Sequence, residues 1–328
     1  MIQIVDEIKN NLKGKKFKIC FPEGSDIRIL KACEMLLKDK ILTPVILGVK
    51  DEILKLASQN KINLQGSEII EVSDKFLKYT EMENLMIELR KGKATKDDVK
   101  EMLKKSNYFG TMLVKIGYCD ALLGGATYST ADTVRPALQI IKTKPGVKLV
   151  SSSFIMIREN KNKIEKLIFS DCALNLFPTS EELVEITKQS VETAKTFKID
   201  PKVALLSYST LGSGKGDAVD KVRNAYNILK NENVDFSFDG EIQFDAAYMP
   251  DVAKIKAPNS RVAGCANVFI FPDINSGNIG YKIAERLGGF EALGPILQGL
   301  NAPICDLSRG CSILDIYKMS YITIMQKN

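Results

Sequence analysis

The chain contains no histidine. That single absence removes every Ser-His-Asp or Cys-His nucleophile system and every His-ligated metal. General acid–base chemistry here would fall to a carboxylate, Lys, Tyr or Cys. Cysteine is sparse, scattered and odd in number, with seven residues and no CxxC pair. This argues against a zinc site and against a disulfide framework, and points to a reducing cytoplasm. No apolar run approaches the ~18 residues of a membrane span. The N-terminal MIQIVDEIKNNLKGKK reads as an amphipathic helix, not a signal peptide, because it has neither a continuous apolar stretch nor a cleavage site. Charge of one sign is also lacking in blocks. Lys and Arg exceed Asp and Glu only by 46 to 40, too mild a surplus to argue for nucleic acid.

What remains is an ordinary globular composition, 45% hydrophobic and 26% charged over 328 residues, enough for roughly two domains. Short runs rich in Ile, Val and Leu alternate with helix-length segments. KFKICF (16–21), LTPVILG (42–48), SEIIEV (67–72) and DALLGG (120–125) predict strands. So do KLVSS, KLIFS, VALLSY, FSFDG, VFIFP and APICDLS further on. Helices are predicted near 25–39, 74–91, 129–142, 179–197, 217–231 and 275–288. Such alternation predicts an α/β fold of mostly parallel sheets flanked by helices, with ligands at the C-terminal ends of strands. Breaks are expected at KTKPGVK (142–148) and in the Gly- and Pro-rich GFEALGPILQGLNAP (289–303). They suggest one domain of 1–146 and another of 147–295, leaving 296–328 as a tail whose return to the first domain is an expectation that composition does not carry.

Three strand ends could carry chemistry. In CDLSRGCSILDIYKM (305–319) a strand runs into Ser308-Arg309-Gly310 and then a helix. Gly310 would allow a tight turn, the free N–H groups would face an anion, and Arg309 adds a planar donor fork. Asp315 lies one helical turn beyond Cys311. The structural alternative is that Ser312 and Asp315 form a capping box, with Arg309 merely paired to Asp306 on the surface. In GGATYSTADTVRP (124–136) the hydroxyls and N–H groups around Ser129 and Thr130 could hold a phosphate, with Arg135 nearby, or could simply cap a helix. FPEGSDIR (21–28) has the same form, with Ser25 as the expected cap. LGSGKGD (211–217) lacks the first Gly of a phosphate-binding Walker loop and has Gly216 where Ser or Thr should follow the Lys. Asp239, Glu241, Asp245 and Asp251 are close in sequence, yet acidic loops are common and no metal site is assigned.

Taken in order, GGATYSTADTVRPALQIIKTKPG, DGEIQFDAA, FPDINSGNIGYKIAERLGG and GPILQGLNAPICDLSRGCS resemble the phosphate acetyltransferase family. FPEGSDIRILKA and LIFSDCALN fit the same resemblance, which covers about residues 17–320. The resemblance implies two α/β domains with the active site in a cleft between them, an isocitrate/isopropylmalate dehydrogenase-like architecture, and a homodimer. It implies reversible acetyl transfer between acetyl phosphate and coenzyme A, with CoA as a substrate and no cofactor, by direct thiolate attack. By the same resemblance Asp315 would be the base, while Arg309 and Ser308 would steady the developing oxyanion. Arg90 and Arg135 would bind CoA and substrate, and Ser129 and Thr130 would lie on the phosphate side.

The sequence departs from its relatives at Tyr128, where they often carry His. Cys172 matches a position that is reactive in some of them, more in keeping with a modification-sensitive neighbour than with a nucleophile. An ordinary Asp and an ordinary thiol differ by about 4.6 pKa units, or ~6 kcal/mol. Such a base therefore needs burial of the carboxyl or positive charge near the thiol. A phosphate butyryltransferase, a non-catalytic binding module and a metal-dependent dehydrogenase are the rival readings. Acyl-chain preference, retention of Ser308, Arg309 and Asp315, and sensitivity to chelation would separate them.

Overall fold

The computed structural model describes residues 3–160 and 163–327. Its strands are β1 Phe17–Phe21, β2 Leu42–Leu47, β3 Glu68–Ile70, β4 Ala121–Gly124, β5 Ser151–Asn160, β6 Lys163–Ser170, β7 Lys202–Leu206, β8 Ser237–Ile242, β9 Val268–Ile270, β10 Glu291–Gln298 and β11 Ile304–Asp306. Contacts divide the chain into two compact units. One is Gly146–Gly299, and the other joins the chain up to Pro145 with the chain from Leu300 onward.

In the second of these units the sheet order is β3-β2-β1-β4-β11, and every pairing is parallel. Phe17 lies beside Leu42 and Phe21 beside Ile46. Parallel neighbours need crossovers, which the helices Ile27–Asp39 and Lys50–Gln59 supply after β1 and β2. Ile19, Cys20 and Phe21 are all buried, as are Val45, Ile46 and Leu47 and the run Ala121–Leu123. Continuous burial is the mark of strands covered on both faces, and it explains why these runs are uniformly apolar instead of alternating. The parallel arrangement also brings the ends of β1, β4 and β11 to one edge, where the loops beginning at Pro22, Gly125 and Leu307 emerge.

The Gly146–Gly299 unit is mixed. β10 and β6 flank β5 antiparallel, and β6, β9, β7 and β8 continue in parallel. The boundary between the units, at Gly299 and Leu300, falls within the segment 289–303, but most of that segment is strand β10, which the sequence reading did not anticipate. Gly294 and Pro295 suggested a linker, but they sit where the β10–β5 register shifts, between Leu293 and Ile296. An irregularity of this kind tolerates a residue with no N–H and one with no side chain. A Cβ on Gly294 would come within 2.7 Å of the Phe154 ring.

Helices Lys50–Gln59, Lys96–Leu103 and Ser106–Lys115 were not anticipated. The predicted helix 129–142 is Thr130–Pro136 followed by a π-turn, Ala137–Ile141. The N-terminal helix is Gln3–Leu12, and the first two residues of its predicted span lie outside the described residues.

Gly24 pins the loop after β1 to the end of β2, donating its N–H to the Leu47 carbonyl at 3.1 Å. A Cβ there would lie 2.5 Å from that same oxygen and 2.7 Å from Ile46. Gly24→Ala is therefore expected to destabilise the fold by about 1–3 kcal/mol through overpacking. A Cβ on Gly14 meets nothing within 4 Å, so Gly14→Ala should cost only the ~1–2 kcal/mol of its left-handed backbone. Thermal denaturation of the two variants checks the order.

Candidate active site

The loops at the ends of β1, β4 and β11 are tied together by three side chains. Glu23, only 5% exposed, directs its carboxylate into the loop after β4. It accepts from the N–H groups of Gly125 at 2.8 Å, Ala126 at 3.0 Å and Thr127 at 2.5 Å, and from the Thr127 hydroxyl at 2.6 Å. The amides of residues 125–127 are thus already filled by an internal anion. Gly125 is needed there, because its φ is +104° and a Cβ would fall 2.3 Å from Asp306 Oδ1.

Arg28 joins the same loop to the one after β11. Its Nη2 donates to the Ala126 carbonyl at 2.8 Å, and its Nη1 donates to those of Arg309 at 2.8 Å and Cys311 at 3.0 Å. Asp26, and not Ser25, caps the helix Ile27–Asp39, and its carboxylate also holds Arg28 at 2.7 Å. Burial pushes the Asp26 carboxyl up, but the bonds and charge of Arg28 outweigh it and hold it below the usual range.

Asp306 closes the arrangement. It is 1% exposed, and so is not a surface partner for Arg309. Its Oδ2 accepts from Thr130 Oγ1 at 2.7 Å and its Oδ1 from Thr133 Oγ1 at 2.6 Å. Burial raises this carboxyl to about 6, against the pull of the two threonine bonds and with the push of the Glu23 charge. Tyr128 lies beside both acids. Its hydroxyl packs on Gly124, near Thr133, without a hydrogen bond of good geometry, and burial raises its pKa far up.

Around this frame the predicted residues fall in two groups. Ser308 and Arg309 are exposed at the end of β11, with the Ser308 hydroxyl accepting weakly from Gly310 N–H at 3.3 Å. Gly310 has no positive φ and no crowding, so the turn does not demand glycine. Asp315 is half-buried on the first turn of the helix Ile313–Met325, in a capping box with Ser312. Asp315 Oδ2 accepts from Ser312 N–H at 2.8 Å. A carboxylate has about four lone-pair sites, so capping does not use the group up. Ser129 and Thr130 begin the helix Thr130–Pro136, and the Ser129 hydroxyl donates to Asp132 at 2.7 Å.

Arg90 and Arg135 form the second group, flanking Tyr108. Burial raises the phenol, and the Arg135 and Arg90 charges pull it back. Arg135 is exposed on the short helix that Thr130 begins, while Arg90 caps the end of Tyr79–Leu89 with a buried, unpartnered Nε.

Glu23, Arg28 and Thr133 escaped the sequence reading, and Asp306 entered it only as a surface partner for Arg309. FPEGSDIR was seen as a turn, and nothing in its spacing reveals which loops its charges reach. Cys172 requires a correction. It is fully buried, and burial with the Asp171 charge holds its thiol well above the usual range, so it is not poised for modification. Cys311 is pushed up to about 11 by burial, despite the opposing charge of Arg28. In the Gly146–Gly299 unit the glycine loop at 211–217 wraps Glu241, which accepts from Gly212 N–H at 2.8 Å and pairs with Arg223. Asp245 and Asp251 are paired with Lys256 and Lys254. Among the described residues no group of three acidic, Cys or His side chains is placed to hold a metal.

Comparison with known proteins gives a consistent picture. Residues 3–324 match the family described as Phosphate acetyl/butaryl transferase. The chain is 50% identical to phosphate acetyltransferase of Bacillus subtilis over 99% of both chains. Its structure resembles a phosphotransacetylase from Streptococcus pyogenes, with TM-score 0.94 and 51% identity over 100% of this chain and 98% of the other. It also resembles a phosphotransacetylase from Staphylococcus aureus, with TM-score 0.90 and 47% identity over 99% and 98%.

The Glu23 cradle makes a stability prediction. Glu23→Ala leaves three amides and a hydroxyl without their acceptor, and each buried orphan costs about 1–3 kcal/mol. A total loss of roughly 3 kcal/mol or more is expected in denaturant unfolding. Glu23→Gln, which keeps one acceptor oxygen, should lose less.

Proposed function

Since the chain belongs to the phosphate acetyl/butaryl transferase family, we propose that it catalyses reversible transfer of acetyl between acetyl phosphate and coenzyme A. Acetyl-CoA and phosphate give CoA and acetyl phosphate, and the reverse. CoA is a substrate here and no further cofactor takes part. The observation that carries this reading is the sequence of Ser308 and Arg309 on an exposed turn, held by Arg28 at the Arg309 and Cys311 carbonyls, and Asp315 on the first turn of the helix that follows.

In the direction of CoA acetylation, Asp315 accepts the thiol proton, and the thiolate attacks the carbonyl of acetyl phosphate directly. The C–S bond forms, the C–O bond to phosphorus breaks, and phosphate leaves. Arg309 and Ser308 donate to the oxygen on which charge develops, the largest single source of rate enhancement in acyl transfer. Ser129 and Thr130, on the neighbouring loop, receive the phosphate end. Arg90 and Arg135 hold CoA, and the unpartnered Nε of Arg90 supports an anionic ligand there.

The seven free thiols suit a reducing cytoplasm. A homodimer is supported by the helix Ile274–Arg286, where Ile279, Ile283 and the following Leu287 form an exposed stripe at 57%, 53% and 84%. Such a face is a normal mark of an interface.

Thioester formation, the kinetics of three variants and the mass of a fourth test the reading. Purified protein mixed with CoA and acetyl phosphate should form thioester, followed by its ultraviolet absorbance, much faster than with butyryl phosphate. Absence of any thioester overturns the activity. Asp315→Asn should lower kcat by roughly 10²–10⁴, and Arg309→Ala should raise KM for acetyl phosphate while lowering kcat. Arg90→Ala should weaken CoA more than dephospho-CoA if it holds the 3′-phosphate. For assembly, Ile283→Glu should shift the mass measured by light scattering from dimer to monomer.

A further inference from the structure

Asp306 is a buried acid with a specific pair of partners. Thr130 donates to its Oδ2 at 2.7 Å and Thr133 to its Oδ1 at 2.6 Å, and the side chain is 1% exposed. The charged and titratable groups facing it are Glu23, whose carboxylate is held by residues 125–127, and Tyr128, whose hydroxyl is buried beside both acids. Arg28 lies toward Glu23, with its hydrogens given to backbone carbonyls and Asp26. Among the described residues no cation pairs with Asp306.

A threonine hydroxyl has one hydrogen, and an ionised carboxylate can only accept. While Asp306 is charged, the Thr130 hydrogen is committed inward, and only oxygen lone pairs remain to face outward. A phosphate anion needs donors, so the charged state presents it with the wrong polarity. If Asp306 is protonated, its own O–H can donate to Thr130. The threonine hydrogen is then free to turn to an incoming oxygen, while Thr133 continues to donate to Oδ1.

We propose that Asp306 takes up a proton from solvent when a phosphate-type dianion binds at Thr130, converting the Thr130 hydroxyl from an acceptor into a donor. Asp306 is a positioning residue that acts through Thr130, and the assignment rests on the reading of Thr130 as a phosphate-side group. Two further features favour it. Burial has already lifted the carboxyl to about 6, so an arriving negative charge needs to move it little for it to be protonated near neutrality. Thr130 is half-buried, within reach of both the acid and solvent.

Sulfate is the probe, because it stays a dianion throughout the range and brings no titration of its own. Calorimetry of sulfate binding, in two buffers of different ionisation enthalpy, should show uptake of a fraction of a proton near neutral pH. Affinity should fall as pH rises from about 5.5 to about 8, by up to about tenfold for each unit by which sulfate raises the carboxyl. Asp306→Asn, which keeps the volume and offers a permanent donor, should bind sulfate at about pH 8 at least as tightly as wild type. It should show no proton uptake and no pH slope. Thr130→Val should lose both affinity and coupling. Absence of sulfate binding, a flat wild-type profile, or unchanged proton uptake in Asp306→Asn would overturn the proposal.

Should the Asn variant not fold, the wild-type uptake and the Thr130→Val result decide. Thioester formation measured on the same preparation separates this inference from the activity. Coupled sulfate binding without acetyl transfer would remove the activity alone, and acetyl transfer without coupled binding would remove only the role of Asp306.

Discussion

The buried carboxylate of Glu23, set into the amides of residues 125–127, is the interaction on which the rest of the site depends. A loop that follows a parallel strand has backbone donors pointing into it, and water or a ligand would normally satisfy them. Here the first strand's own loop supplies the acceptor, so the second loop is shaped before any substrate arrives. Arg28 then uses the opposite face of that loop, the Ala126 carbonyl, to hold the backbone of Arg309 and Cys311. Amides on one side and carbonyls on the other leave the loop little freedom. The backbone of Arg309 is therefore held even though Ser308 and Arg309 are exposed.

This arrangement carries an energetic strain of its own. Two acids, Glu23 and Asp306, are buried close enough for the charge of one to raise the other. Glu23 is compensated by four hydrogen bonds and by the nearby Arg28 charge. Asp306 has two hydroxyls and its neighbouring amide, and that imbalance is why its carboxyl is lifted. Stability alone gives no reason to keep an acid there, since an amide or apolar group of the same shape would avoid the penalty. Displaced carboxyls of this kind gather where function needs them.

Much of the fold was legible because its causes are local. The runs at 16–21, 42–48 and 120–125 each hold an unbroken apolar stretch, ICF, VIL and ALL, as strands buried on both faces do. Asp315 and Ser308 were found through a strand leading into a turn and a helix, also a local pattern. β10 was hidden because Gly294 and Pro295 imitate a linker, and only its antiparallel neighbour β5 shows that the bulge is tolerated. The frame of the site was hidden for a deeper reason. Glu23 acts about a hundred residues away in sequence, and Arg28 nearly three hundred, and no periodicity encodes pairings of that range. The filling of the amides of residues 125–127 was hidden on the same account, since the sequence displays the donors and conceals the acceptor that already occupies them.

The absence of histidine gives the displaced acid added meaning. No side chain in this protein has an ordinary pKa between 5 and 8, so any response there must come from a group moved by its surroundings. Asp306, lifted to about 6, is such a group. Its folded value stands above the ordinary aspartate value of the unfolded chain, so the folded state holds the proton more firmly. The stability it contributes is therefore fully present below about 4 and is lost as pH rises through about 6. Neutral pH thus keeps this carboxylate charged at the expense of the fold. Anything that lets it recover a proton, including an anion arriving at Thr130, relieves that expense. The same burial that makes the Asp306 charge costly makes the group responsive to its surroundings, and Tyr128, its phenol held neutral by burial, adds bulk beside it without adding a charge.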